Sequence, residues 1–516
     1  MRTQYDVLVV GGGINGAGIA RELAGRGLSV ALCEKDDLAA HTSSASTKLI
    51  HGGLRYLEYR EFGLVRKALQ EREVLLRNAP HIMWPLRFVM PHDAGMRPAW
   101  IIRLGLFLYD HLAHREVLPA SCAINLDEHL AGEALKPGFK KGFVYSDGWV
   151  DDARLVVLNA MDAQERGAVI LTHTECVHVE RAADWWTATL QRRGAGERVP
   201  EQPIRIQARA LVNAAGPWAA QFLQEHAQFR DTRSLRLVKG SHIVVKKLYT
   251  HPMAYIFQNT DRRMTFAIPY EDDFTLIGTT DVEHQGAIGG AEMDAAECAY
   301  MCEQVGRYFK QPISAQDVVW SYSGVRPLLD DASGNPAAVT RDYRLDLDTS
   351  QAPLLSVWGG KITTYRKLAE QAADQLCPAL GNHAPGWTEH VPLPGGDMGS
   401  QGSLSKNPAA DFSHFLQVAQ QRYPWLPESL CRRYARAYGT RLDVLLASAH
   451  EIADLGQEVA PALYHTELQY LLEQEWALSA ADVLWRRSKL GLHLSAQERQ
   501  AVADWFTKRG VGETCA

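Results

Sequence analysis

The sequence predicts an α/β protein built on a nucleotide-binding βαβ unit, with a β-rich insert and a helical domain at its C-terminal end. Three observations predict it. First, an apolar run from Tyr5 to Val10 leads straight into Gly11-Gly12-Gly13-Ile14-Asn15-Gly16, a helical stretch to Arg26, and a second apolar run, Ser29 to Cys33, ending on Glu34. Second, short strand-like runs crowd the region from Leu237 to Asp281. Third, beyond a Pro-, Gly- and Ser-rich stretch at 392–407 the sequence turns helical, as in Leu430 to Tyr438 and Glu467 to Leu490.

The opening unit carries the strongest chemistry. Gly11 permits a tight turn, Gly13 lets backbone approach a pyrophosphate, and Gly16 lets the helix pack closely on the strand. The helix N-terminus offers free N–H groups to phosphate. Glu34 stands about 20 residues on, where a carboxylate meets a ribose diol. Strand, glycine turn, helix, second strand and acid together read as a Rossmann-like adenine dinucleotide site.

Bulk composition sets limits. The chain has 516 residues, 46% hydrophobic and 22% charged, enough for two or three domains. A net charge of −6 argues against a general nucleic-acid binder while leaving room for a local cationic pocket. The eight cysteines contain no C-x-x-C pair, so reduced thiols and no metal site are expected. The first apolar run is strand-length and reads as no signal peptide. No apolar stretch reaches 18 residues, so no transmembrane helix is expected. Trp100 to Tyr109, flanked by Arg97, His111, His114 and Arg115, suits either a core helix or a membrane-interface segment. In the second case Ile102 and Leu106 are expected to touch lipid.

Downstream, Thr42-Ser43-Ser44-Ala45-Ser46-Thr47 packs small hydroxyl residues before His51-Gly52-Gly53, and a helical region follows from Leu54 to Arg77. Such a run can wrap a pyrophosphate or the edge of a ring system. Ala210 to Trp218 reads as a buried strand breaking into a small-residue turn at Gly216. Leu354 to Trp358 reads as another, turning at Gly359-Gly360-Lys361 into a helix from about Ile362. With a flavin as cofactor, the chemistry calls for a base for a substrate hydroxyl proton and for cationic donors. His51, Arg55, Tyr56, Arg326, Arg341 and Lys361 stand at these turns. Histidine titrates near neutrality, which makes His51 the natural proton acceptor. Arginine forks match phosphate, so the set points to an anionic substrate.

The motifs resemble those of the FAD-dependent, quinone-linked bacterial glycerol-3-phosphate dehydrogenases over essentially the whole chain. The resemblance rests on Gly11 to Gly18, Thr42 to Tyr56, Tyr145-Ser146-Asp147, Val150 to Arg154, Lys239 to His242, Gly278 to Asp281, Tyr322 to Pro327, and Gly359 to Lys361 with Thr363 to Arg366. It implies a Rossmann-like FAD-binding fold of the glycine/D-amino-acid oxidase type, an antiparallel β substrate domain and a helical C-terminal domain. The expected division is 1–80, 140–235 and 335–385 for FAD, 81–139 and 236–334 for substrate, 386–408 as linker and 409–516 as the helical domain. FAD would lie along Gly11, Gly13, Asn15, Gly16, Glu34, Ser43, Ser44, Ser46, Thr47, Gly216, Gly360, Lys361 and Thr363. Arg55, Tyr56, Arg341 and Lys361 would hold the phosphate of sn-glycerol 3-phosphate. Arg326 would stand near the reacting hydroxyl, with His51 the favoured base and a share for Arg326 left open. Lys361 and the following helix would also stabilise the reduced flavin. The resemblance further implies ubiquinone as acceptor, a homodimer, and a peripheral place on the cytoplasmic face of the inner membrane with a fraction in the cytoplasm. The competing readings are a glycerol-3-phosphate oxidase that reduces oxygen, an amino-acid oxidase, and a non-catalytic flavin sensor or scaffold.

Overall fold

The computed structural model describes residues 2–510 apart from 94, 194–201, 230–231, 260, 262, 330–341, 400–401 and 403. Its first sheet has eight described strands. Along it run Arg344–Asp348, Leu354–Trp358, Ile204–Asn213, Gln4–Val10, Val30–Cys33 and Val169–Leu171, and a hairpin of Thr174–Arg181 and Trp186–Arg192 is attached to Ile204–Asn213. The four central pairings are parallel. Strands buried on both faces explain the unbroken apolar runs. Val7 and Val9 point into one core with helix α1 (Ile14–Gly25), while Leu8 and Val10 point into the opposite core with Trp186 and Phe222. The strand expected from Ala210 begins six residues earlier, at Ile204.

The second sheet has ten described strands, ordered Val282–Glu283, Leu235–Lys246, Phe274–Gly278, Met264–Tyr270, Ala254–Gln258, Met83–His92, Lys141–Val150 and Leu49–Ile50, with Val318–Leu329 and Cys122–Asn125 alongside. It is not wholly antiparallel as expected: Ala254–Gln258 runs parallel to Met83–His92. The boundary expected at residue 140 also differs, since Lys141–Val150 and Leu49–Ile50 pair within this second sheet. A strand's sheet is decided by its partner, which local sequence does not carry.

Leu54–Tyr59 forms 3₁₀ turns, and α2 (Phe62–Asn78) follows after Arg60 adopts a left-handed conformation. Helix α3 (Ala99–His111) lies across the second sheet with Ile102, Leu106 and Tyr109 buried. Its exposed large apolar side chains are Trp100, Ile101, Leu104, Phe107 and Leu108, with Arg103 and His111 exposed beside them. Ile102 and Leu106, which the membrane-interface reading put at lipid, are core residues, as the core-helix reading had them. Helix α4 (Asp152–Glu165) packs beside α1 and begins with the Asp151 side chain accepting the Arg154 N–H.

The segment 386–408 is not a loose linker. Leu393 is buried, its N–H donates to the Asn78 carbonyl, and the Thr388 hydroxyl donates to Glu22. The C-terminal domain has its own core, including Leu430, Tyr434, Leu468 and Phe506. Its expected 467–490 helix breaks at Trp476, which is left-handed. Arg487 fastens the domain to Asp37 with bonds of 2.6 and 2.8 Å, and Arg154 pairs with Glu475 in full burial.

Candidate active site

A large cavity of about 880 Å³ is lined by residues of both sheets. At one end the turn after the first strand holds Gly11 at φ +113°, with the Ala214 carbonyl so near that a Cβ would lie 2.4 Å from its oxygen. Helix α1 carries no acidic residue in its first turn, and its N-cap, Gly13, has no side chain to occupy the helix N–H groups. The Gly12 N–H donates to Glu34 Oε2 at 2.6 Å and the Asp36 N–H to Oε1 at 2.9 Å. Burial raises the Glu34 carboxyl above its usual range, and those two donors oppose the rise. The Ile14 N–H donates to Ser43 Oγ at 2.9 Å, tying the hydroxyl run to the helix start.

Gly11, Gly13, Asn15, Glu34, Ser43, Ser46, Thr47, Gly216, Gly360, Lys361 and Thr363 all line the cavity. Two expected contacts lie off the cavity. A Cβ on Gly16 would sit 1.9 Å from the Gly11 carbonyl oxygen, so this glycine serves helix packing. Ser44 donates its hydroxyl to the His41 carbonyl at 3.2 Å. Ser46 lines the wall with its backbone side, because its hydroxyl donates to Asp152 at 2.7 Å. Thr47 shares a 2.9 Å hydrogen bond with His242, a fully buried ring stacked on Tyr322 whose pKa burial pushes well down. Asn15 donates to the Gly359 carbonyl at 3.2 Å, and its buried Oδ1 has no partner among the described residues.

The cavity wall also gathers charge: His51, Arg55, Tyr56, Arg326 and Lys361 all line it. The His51 loop is held from below: the Gly52 N–H donates to the Tyr109 hydroxyl (2.8 Å), which donates to Asp147 Oδ1 (2.7 Å), which accepts from buried Arg72 (2.6 Å). From the side, the His51 N–H donates to Thr363 Oγ1 at 3.3 Å. Lys361 Nζ stands 4.0 Å from the Tyr56 ring centroid. Arg326 pairs with Asp281 and donates to Thr279 Oγ1 at 3.0 Å. Arg341 lies outside the described residues. Asp281 and Thr279 sit in a run that sequence reading singled out without a role. Trp218, facing His41 at 4.6 Å and Lys35 at 3.8 Å, was likewise visible only as the end of a strand and turn.

These residues fit a bound FAD. The glycine turn and the helix N-terminus, with no acidic residue in its first turn, suit a pyrophosphate, Glu34 suits a ribose, and Asn15, whose buried Oδ1 has no partner among the described residues, lines the cavity. A family profile described as FAD dependent oxidoreductase matches residues 6–366, and one described as the C-terminal domain of alpha-glycerophosphate oxidase matches 387–508. Fold, cavity and profile define the class: this is an FAD-dependent oxidoreductase.

Among named relatives, the glycerol-3-phosphate dehydrogenase of Pseudomonas aeruginosa is 53% identical over 505 residues, covering 97% of this chain and 95% of the relative. D-erythritol 1-phosphate dehydrogenase of Brucella abortus is 48% identical over 502 residues, with 97% of each covered. The structure of glycerol-3-phosphate dehydrogenase from Bacillus halodurans complexed with FAD superposes with a TM-score of 0.78 at 29% identity, covering 98% of this chain and 91% of that one. The chain belongs to the FAD-dependent glycerol-3-phosphate dehydrogenase family.

Proposed function

We propose that this enzyme oxidises sn-glycerol 3-phosphate to dihydroxyacetone phosphate and delivers the electrons to a membrane quinone. The observation that carries the reading is the set Arg55, Arg326 and Lys361 on the wall of the cavity, in a chain whose net charge is −6. FAD, when bound, supplies the hydride acceptor. Lys361, Arg55 and the Tyr56 hydroxyl hold the phosphate, with Arg341 expected beside them. Arg326 donates toward the C2 oxygen, and His51 accepts the C2 hydroxyl proton on its imidazole. The braces from Thr363 and Tyr109 support the second role, because they hold the His51 backbone in place.

Helix α3 supports the membrane side of the reading. It exposes Trp100, Leu104 and Phe107 at 68%, 51% and 49%, while Ile101, Leu104 and Leu108 also border the cavity. An apolar face at the mouth of the site suits a peripheral position on the cytoplasmic face of the inner membrane, with quinone arriving from the lipid. No described helix is long and apolar enough to cross a membrane. The homodimer rests on the resemblance alone; sedimentation of the holoenzyme checks it.

The test is an anaerobic visible spectrum before and after sn-glycerol 3-phosphate. Bleaching of the flavin band supports the substrate, and reoxidation by a quinone rather than by oxygen supports the acceptor. A band that stays intact overturns the substrate assignment. The Brucella relative motivates a second reading, in which the same phosphate end takes a longer polyol phosphate; faster bleaching by D-erythritol phosphate than by the glycerol ester selects it.

A further inference from the structure

Asp37 follows closely on Glu34, and its buried carboxylate is held by the C-terminal domain. It accepts from Arg487 at 2.6 and 2.8 Å and from Arg486 at 2.6 Å. Arg487 is fixed in turn by the Glu475 carbonyl, which accepts from its Nε at 3.1 Å. The residues on either side of Asp37 grip the glycine turn. Before it, Glu34 accepts the Gly12 N–H; after it, the Ala39 N–H donates to the Gly12 carbonyl at 3.2 Å. The fit is close, since a Cβ on Gly12 would lie 2.7 Å from Glu34 Cβ and 3.0 Å from Leu38 Cδ2. Ala39 is left-handed at φ +60°, a conformation that a non-glycine residue keeps only when its surroundings hold it. A carboxylate has about four lone-pair sites, and the Gly12 and Asp36 N–H groups take one on each Glu34 oxygen. The remaining sites are free for a ribose diol.

We infer that Arg487, with Arg486 beside it, is a positioning residue for the cofactor: by holding Asp37 it fixes Glu34 at the glycine turn, so the C-terminal domain sets how tightly FAD is retained. This rests on Glu34 taking the FAD ribose. A planar guanidinium meeting both carboxylate oxygens gives direction as well as strength. The grip is on the glycine turn, so the effect falls on FAD retention and spares the KM for substrate.

The test is FAD release from the holoenzyme, followed by flavin fluorescence on dilution, at a temperature where every variant is folded by circular dichroism. Asp37→Asn and Arg487→Met are each expected to quicken release about 10-fold, the lower range for loss of a charge-assisted pair. With FAD in excess, their KM for sn-glycerol 3-phosphate is expected to stay at the wild-type value. Asp37→Asn keeps the side-chain shape and decides the matter if Arg487→Met does not fold. Arg433→Met is the control for stability, because Arg433 pairs with Glu467 at 2.6 and 2.7 Å inside the C-terminal domain. It is expected to melt lower than wild type and to release FAD at the wild-type rate. Release that is unchanged in Asp37→Asn, release quickened as much in Arg433→Met, or a KM raised along with release overturns the inference. Glu34→Gln separates the reading beneath it. Unaltered release there overturns the ribose role of Glu34, whereas quickened release there with none in Asp37→Asn overturns the inference alone.

Discussion

Lys48 Nζ and Asp152 Oδ1 meet at 2.7 Å with neither side chain exposed. The pair moors the hydroxyl run. Asp152 also accepts the Ser46 N–H at 3.1 Å and hydroxyl at 2.7 Å, and Lys48 Nζ donates to the Ser44 carbonyl at 3.0 Å. Tyr322 adds a 2.8 Å bond to the Ser46 carbonyl. The cofactor-side wall of the cavity is thus held by the first turn of α4 rather than by its own local sequence.

Removing one partner of such a pair leaves a buried charge, which costs about 3–5 kcal/mol. Lys48→Met is expected to lower the melting temperature and release FAD on gel filtration. A variant that melts as the wild type and keeps its flavin would show that the moorings are redundant.

Arg326 touches the reacting end but none of the glycine turn. Arg326→Ala is expected to reduce turnover by about 10²–10³-fold, the loss typical of one positioned donor, with FAD content unchanged. Rate measurements normalised to flavin absorbance check it, and near-normal turnover removes Arg326 from the chemistry.

The two faces of α3 separate lipid contact from folding. Replacing Trp100, Leu104 and Phe107 together by Glu is expected to abolish flotation with anionic vesicles at little cost in melting temperature. Leu106→Glu, fully buried, is expected to destabilise by several kcal/mol or prevent folding, because an unpaired carboxylate enters the core. Equal vesicle binding by the triple variant and wild type would leave the exposed face without a lipid role.

Glu271 gives a pH dependence with a definite sign. Burial raises its pKa from 4.5 to about 7, with Lys489 opposing and Asp151 assisting. The folded state holds the proton more tightly, so this group's contribution is complete below pH 4.5 and lost as pH rises through 7. Glu271→Gln is therefore expected to melt higher than wild type at pH 8, by about 1–2 kcal/mol after allowance for partial exposure, and to match it near pH 5. Calorimetry at the two pH values checks it; an equal offset at both would assign the effect to packing.

The βαβ opening was legible because its signals are local. The apolar runs, the glycines and Glu34 lie within thirty residues, and each acts on its chain neighbours or on the next strand. His51, Arg55, Tyr56, Arg326 and Lys361 were legible as a set because they stand at glycine-marked turns, and all five line the one cavity described. Their order in the chain says nothing of how they meet. The Arg326–Asp281 match, the His242–Thr47 bond, and the assignment of Lys141–Val150 to the second sheet each join segments far apart in the chain. So did the placing of Ile102 and Leu106 in the core rather than at lipid: an apolar helix has no inside until another element covers one face. By itself the sequence determined the nucleotide-binding unit and the chemistry available to the site. Tertiary structure alone decided which charge is matched, which hydroxyl faces the cavity and which apolar face is left outside, because these depend on distances that only packing sets.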